Sequence, residues 1–208
     1  MERKQIHVVS SPGPRTVMTA VRNKEPVLFG VRRCLADGSP VVVRQLEPGD
    51  GDLLLDVFEQ MGPASREARF LAPKPRLTQS DVRQLLAVDH VDHEALVALA
   101  AEDCRPVGIA RFVRDHVDHE AAEVAVEVVD RWQSRGLGTM LITALLGRAR
   151  ELGVRRITLV MARDNQAAAR LMRRSARPAV LVDMDGLTVD YVITLTDDEP
   201  AWAVFKGA

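Results

Sequence analysis

The 208-residue chain is short of several things that would each have pointed to a function class. Its two cysteines, Cys34 and Cys104, stand alone with no Cys-x-x-Cys or Cys/His ligand spacing, so neither a disulfide framework nor a zinc site is indicated. Aromatic residues make up 4% of the chain, too few to interleave with basic side chains as a base-stacking platform. No stretch approaches the roughly 18 consecutive apolar residues that a membrane span needs. The N-terminus, Met1-Glu2-Arg3-Lys4 followed by Ile6 to Val9, lacks the apolar core of a secretory signal. With 28 basic against 29 acidic side chains, the formal net charge of −1 excludes a globally basic nucleic-acid binder. A cytoplasmic, soluble protein without a bound metal is expected.

What the chain does have is a hydrophobic share of 47% beside 27% charged residues, a globular composition. Charge is segregated along it. From Arg131 to Arg177 there are eleven arginines against Glu151 and Asp164, whereas from Thr78 to Asp130 twelve acids face four arginines. From Pro178 to Phe205 there are six acids and no base. One part of the surface is thus suited to a polyanion and another to an amine, unless these charges are simply solvated faces and turns.

Residues 1–39 read as an N-terminal extension rich in turn formers, with extended candidates around Thr16–Val21 and Pro26–Val31. The main domain is expected over 40–196, followed by a tail over 197–208. Pro40–Leu46 is β-branched and ends at Pro48-Gly49-Asp50, whose aspartate is expected to cap a helix over Gly51–Met61 that Gly62-Pro63 stops. Thr78 is the expected cap of an amphipathic helix, with Asp81 in its first turn. Glu94–Ala101, Val107–Arg114 and Ala121–Val129 are β-type runs separated by short polar turns and predict an antiparallel meander. A helix over Thr139–Leu152, a strand over Val154–Met161 and a helix over Asn165–Arg177 follow. Asp185-Gly186 then marks a hairpin between Ala179–Met184 and Leu187–Leu195. The class is α/β (α+β), with a mixed, mainly antiparallel sheet.

Between a strand and a helix stands Gln133-Ser134-Arg135-Gly136-Leu137-Gly138. Such a turn bares several backbone N–H groups at the positive end of a helix, a ready anion site, and glycine lets the backbone come close to phosphate oxygens. A dinucleotide fingerprint would need glycine where Leu141 stands, and a Walker loop would need Gly-Lys-Ser/Thr. The alternative is a plain tight turn.

This hexapeptide resembles the Q/R-x-x-G-x-G/A pyrophosphate loop of the GNAT acyltransferase superfamily, and the order of elements over residues 40–196 is similar too. The resemblance implies helices on both faces of a sheet whose fourth and fifth strands, here Ala121–Val129 and Val154–Met161, splay apart around acetyl-CoA. It implies that Val126, Glu127 and Val128 pair with the pantetheine arm through their backbone. Gln133, Ser134, Arg135, Gly136, Leu137, Gly138 and Thr139 would form the pyrophosphate loop, and Asn165 would contact the cofactor. The family's N-x-x-A-x-x-L-Y pattern continues as Asn165, Ala168 and Leu171, but Met172 occupies the tyrosine position, so the usual acid for the leaving thiolate is missing. Segments from Val91 to Val126 also resemble the bacterial Pat-type protein lysine acetyltransferases. That implies acetyl transfer to a protein lysine, with a small amine acceptor or an acyl-CoA sensor as alternatives, in a monomer or homodimer.

Transfer to an amine needs removal of a proton from R–NH3+ and a donor to the developing oxyanion. Glu123 and Glu127 fall on one face of a strand, and a carboxylate in an apolar strand is costly unless paired or shifted in pKa. Both are candidate general bases. Glu123 is favoured, because the resemblance puts the Pat-type catalytic glutamate there; the alternative for both is a solvent-facing side of the sheet. An amide of Val126 or Val128, freed by a β-bulge, is the expected oxyanion donor. Finally, Asp-His-Val-Asp-His-Glu-Ala occurs at both Asp89–Ala95 and Asp115–Ala121, at one end of the predicted meander. It reads as two polar turns, with an amine-attracting rim or a metal site as the alternatives.

Overall fold

The structure, a computed structural model, describes residues 30–174 and 179–196. The expected strand at Thr16–Val21 and the tail at 197–208 lie outside the described residues. In chain order the elements begin with strands β1 (Val31–Cys34) and β2 (Pro40–Gln45) and helices α1 (Gly51–Gln60), α2 (Pro63–Phe70) and α3 (Gln79–Leu85). Three strands follow, β3 (His93–Ala100), β4 (Pro106–Arg114) and β5 (Ala121–Val128). The rest comprises α4 (Leu137–Glu151), β6 (Arg156–Ala162), α5 (Gln166–Arg174), β7 (Ala179–Met184) and β8 (Thr188–Thr194). The strands form one sheet in the order β1-β2-β3-β4-β5-β6-β8-β7. Every neighbouring pair is antiparallel except β5 and β6.

Side-chain alternation places a core on each face. Ala122 and Val124 of β5 pack with Leu141 and Leu145 of α4 on one side. On the other, Ala95, Val97 and Leu99 of β3 and Ile109 of β4 meet Leu54 and Val57 of α1. Gly108 lets α4 lie close to the sheet: an added Cβ would come within 2.9 Å of the Glu127 carbonyl oxygen and 3.1 Å of Leu141 Cδ1.

Helix α3 starts as its sequence predicts. Thr78 accepts from the Asp81 N–H while the Asp81 carboxylate accepts from Thr78, and Lys74 with Thr78 holds that carboxyl at about 2. One expectation is corrected and three are extended. Asp50 does not cap α1, because its carboxylate accepts instead from Arg44 at 2.6 and 2.9 Å and from the Glu47 N–H at 2.7 Å. Gly62-Pro63 ends α1 but also begins α2, with proline at a position whose missing N–H costs nothing. The sheet takes in β1, ahead of the expected boundary at Pro40. Asn165 precedes α5 and caps it, its Oδ1 accepting from the Ala168 N–H at 2.9 Å.

The feature that positions a site is the parting of β5 and β6. They pair only at Ala121↔Arg156, Ala122↔Ile157 and Glu123↔Thr158. Beyond that point β5 stays with β4 as far as Val128↔Gly108, and β6 stays with β8 as far as Ala162↔Thr188.

Candidate active site

Where the strands part, a cleft of about 410 Å³ opens through the sheet, bounded by β5, β6, α2 and the first turns of α4 and α5. In an antiparallel pair, N–H groups alternate between the two neighbours. The Val129 N–H donates to Val107 on the β4 side, so the peptide groups of Val126 and Val128 face the side that β6 has vacated. Their freedom comes from the splay. The bulge expected in β5 is absent, since its register with β4 is unbroken from Gly108↔Val128 to Arg114↔Ala122.

The loop before α4 closes the cleft's end. Ser134 (φ 62°) and Gly136 (φ 90°) are both left-handed, and this alternation turns successive N–H groups toward one point. The first intrahelical bond of α4 runs from the Met140 N–H to the Gly136 oxygen, which leaves the N–H groups of Leu137, Gly138 and Thr139 without an acceptor among the described residues. Gly138 faces the cleft beside Val128 and Leu171, whose atoms an added Cβ would meet at 3.7 and 3.9 Å. Gln133 braces the loop by donating to the Val128 oxygen at 3.1 Å and to Ser65 of α2 at 3.1 Å.

Gln133, Ser134, Gly136, Gly138, Thr139 and Asn165 all line the cleft. Two side chains do not. Arg135 lies over the Trp132 ring at 5.0 Å and 3.7 Å from Asp37, and Leu137 is buried in the core. Met172 stands on the cleft wall, while the chain's single tyrosine, Tyr191, lines a separate recess that also touches Met172 and Arg173.

The two glutamates differ sharply. Glu123 lines the cleft at the last β5–β6 pair, is exposed, and its carboxylate has no partner among the described residues. Glu127 is 5% exposed, and its Oε1 receives Arg69 Nε at 2.7 Å with Arg111 Nε 3.9 Å away. Arg111 is buried, donates to the Leu85 oxygen at 2.6 Å and has its pKa lowered by that burial. Arg69 was not foreseen. It sits on α2, 58 residues from Glu127, and no local pattern links the two; only the Gly-Pro start of α2 signalled the helix that carries it.

The repeated heptapeptides do lie at one end of the sheet, where Arg114 ties them together by donating to the His119 and Val91 oxygens. Their acids are consumed locally. Asp89 accepts from the N–H groups of Val91, Asp92 and His93, and Asp115 from those of Val117 and Asp118, which holds both carboxyls below their ordinary value. Asp92 pairs with Arg114, and Asp118 and Glu120 with Arg156. Glu94 is fully buried among His90, Gln45 and Arg148. The segments are therefore turns and braces rather than an open acidic rim, and among the described residues no group of His, Cys, Asp or Glu is placed to hold a metal ion.

A sheet parted at one parallel pair, with a loop that bares backbone N–H groups at the mouth, invites comparison with known acetyltransferases. The profile of the Acetyltransferase (GNAT) family matches residues 58–176. The chain belongs to the GNAT acetyltransferase family. It is 32% identical over 135 residues to an acetyltransferase of Pseudomonas aeruginosa, an alignment covering 64% of this chain and 72% of that one. It is 28% identical to the acetyltransferase Pat of Mycolicibacterium smegmatis, covering 76% of this chain but 47% of that protein, so it spans about half of that relative's length. The crystal structure of the GNAT domain of S. lividans PAT superposes with a TM-score of 0.74 at 26% identity, covering 83% of this chain and all of that domain. As a GNAT acetyltransferase the protein is an enzyme, and the mixed, mainly antiparallel sheet is the family's fold. Among the described residues no helix is long and apolar enough to cross a membrane.

Proposed function

We propose that this acetyltransferase moves an acetyl group from acetyl-CoA to the amine of a protein lysine by direct attack, with Glu123 as general base. The observation that carries this reading is the contrast at the cleft: Glu123 is exposed and unpaired beside the vacated edge of β5, whereas the Glu127 carboxylate is held by Arg69. The cleft fits the cosubstrate. The N–H groups of Leu137, Gly138 and Thr139 would hold its diphosphate, with Gly136 in the left-handed turn that aims them and Gln133 bracing the loop. The Val126 and Val128 peptide groups on the vacated edge would pair with the amide-bearing arm, as an added strand would, while those of Glu127, between them, face β4. The donor end of the Asn165 carboxamide, whose oxygen caps α5, would meet the arm from the other wall.

Acetyl-CoA supplies the activated acetyl thioester. The protein's part is to orient, to move a proton and to stabilise charge. Glu123 accepts the proton that the incoming ammonium must lose before its nitrogen attacks. The Val126 N–H donates to the acetyl oxygen as negative charge grows there, an electrostatic contribution of about 2.7–4 kcal/mol for a single well-placed donor. With methionine at position 172 and no tyrosine lining the cleft among the described residues, the departing thiolate takes its proton from water. Cys34 and Cys104 form no disulfide among the described residues, which suits a reducing, cytoplasmic location. The homology to Pat supports a protein lysine as acceptor.

The test is thermal stabilisation followed by thiol release. Acetyl-CoA at one hundred times its Kd should stabilise the protein by about 2.7 kcal/mol, with NAD and duplex DNA inert. Thiol release should then require a lysine peptide. Binding without transfer to any amine would leave an acyl-CoA sensor, and preferential transfer to small amines would overturn the protein-lysine assignment.

A further inference from the structure

On the face that carries Glu123, the sheet beyond the cleft is open among the described residues. Glu123 is in register with Thr158 of β6, Thr158 with Val192 of β8, and Val192 with Val180 of β7, so these four side chains share one face. Val180 is 62% exposed, while Val189 and Ile193 on the opposite face of β8 are buried. In the next row Val160 is in register with Asp190, and Asp190 with Asp183. Two carboxylates thus stand directly opposite each other on adjacent strands, an arrangement that destabilises a sheet.

The chain builds this pair through an irregularity. Leu181 is opposite Tyr191, but the next pair is Asp183↔Asp190, so Val182 is an extra residue. Without it Asp183 would face Val189 on the other side of the sheet. Bulges re-aim side chains, and this one brings the second carboxylate onto the open face. Neither acid has an ion-pair partner among the described residues; Asp183 accepts only from its neighbour's N–H, at 2.8 Å, and no lysine or arginine occurs from Ala179 to Thr196. Asp185 at the hairpin tip is different, being occupied by the Leu187 and Thr188 N–H groups.

We infer that this open face of β6, β8 and β7 docks an extended acceptor segment, and that Asp183 and Asp190 bind a second basic residue of that segment while its target lysine enters the cleft beside Glu123. The inference rests on the lysine-acceptor reading above. Charge complementarity and continuity with the cleft identify the occupant: the apolar floor of Val192 and Val180 suits an extended chain, and the paired carboxylates suit a cation. Asp190 lies two strands across and two residues along from Glu123, about 12 Å at about 4.8 Å per strand and about 3.3 Å per residue. An extended chain covers that span in about four residues, with both side chains on one side. The preferred acceptor therefore carries Lys or Arg four residues from the acetylated lysine.

Two lysine peptides decide the matter, one with Arg four residues from the lysine and one with Gln in its place. The wild-type protein should acetylate the dibasic peptide with a KM about tenfold lower, a preference that fades as salt rises. In the Asp183→Asn, Asp190→Asn double variant, relief of like-charge repulsion should keep the Tm at or above wild type. Its KM values for the two peptides should converge to within about twofold, with the monobasic rate unchanged. A variant that keeps the preference overturns the inference, as does a wild type without one. Binding of the dibasic peptide to CoA-loaded protein, read by fluorescence anisotropy, separates the two readings. Binding that needs both aspartates without turnover removes lysine transfer and leaves the surface, whereas lysine transfer indifferent to the aspartates removes the surface alone. A free diamine acetylated with the same dependence, peptides being ignored, overturns the choice of occupant.

Discussion

Arg69 Nε and Glu127 Oε1 meet at 2.7 Å, fastening helix α2 to strand β5 at the cleft wall. With Arg111 nearby and 4% exposed at its side chain, Glu127 balances two guanidinium groups, one of them deeply buried. Removing that charge strands the buried cation, and breaking such a pair costs about 3–5 kcal/mol. Glu127→Gln should therefore lower the urea midpoint markedly.

Glu123→Gln should act in the opposite way, because Glu123 is exposed and has no partner to lose among the described residues. Its stability should stay within about 0.5 kcal/mol of wild type. Thiol release should fall by about 10²- to 10⁴-fold at an acetyl-CoA affinity within about twofold. An unchanged rate removes Glu123 from the chemistry.

Gly136 holds φ at 90°, where a β-branched residue is strained, and its turn aims the N–H groups of the next three residues. Gly136→Val should weaken acetyl-CoA binding at least about tenfold by calorimetry while costing about 1–2 kcal/mol in stability. Undiminished binding places the diphosphate elsewhere.

The elements that could be read from the sequence are those whose signals are local. Apolar, β-type runs separated by short polar turns located β3, β4 and β5, and Asp185-Gly186 located the β7–β8 hairpin. The Gly136–Gly138 loop marked the start of α4, where three N–H groups have no acceptor among the described residues. Helix α2 escaped because it is a short, largely polar segment that buries none of its residues; it is held by polar contacts such as Arg66 to the Phe58 oxygen and Arg69 to Glu127. Asp50 misled for a related reason. Its type and position suit a cap, but Arg44, six residues earlier, competes for the same carboxylate with two charged donors. The Asp183–Asp190 pair depends on a one-residue register shift that composition cannot reveal.

Gly108 should tolerate no side chain. A Cβ would press within 2.9 Å of backbone at Glu127, which cannot yield as a flexible side-chain tip can, and within 3.1 Å of Leu141. Gly108→Ala should cost about 1–3 kcal/mol as overpacking. At about 2–4 °C per kcal/mol for a chain of this size, calorimetry should record a fall in Tm of several degrees.

Glu94 and His90 meet at 2.8 Å with the carboxylate fully buried, and their titrations bound a stability window. Burial opposes the Glu94 charge, but hydrogen bonds from His90, Gln45 and Arg148 outweigh it and leave the carboxyl below its ordinary 4.5. The stability it contributes is present above about pH 4.5 and lost as pH falls through the lower folded value. Burial also opposes charge on His90, yet Glu94 and Glu47 prevail and raise the ring above 6.5. That contribution is present in full below pH 6.5 and lost as pH rises through the raised value. The pair should thus stabilise the fold most between about pH 4.5 and 6.5. His93, pushed down by burial, works against stability as pH falls, so the informative quantity is the difference between wild type and variant. The urea midpoint of His90→Asn should trail wild type most within that window and converge with it toward pH 9; a gap that stays constant across pH would show that the ring acts through packing and not through its charge.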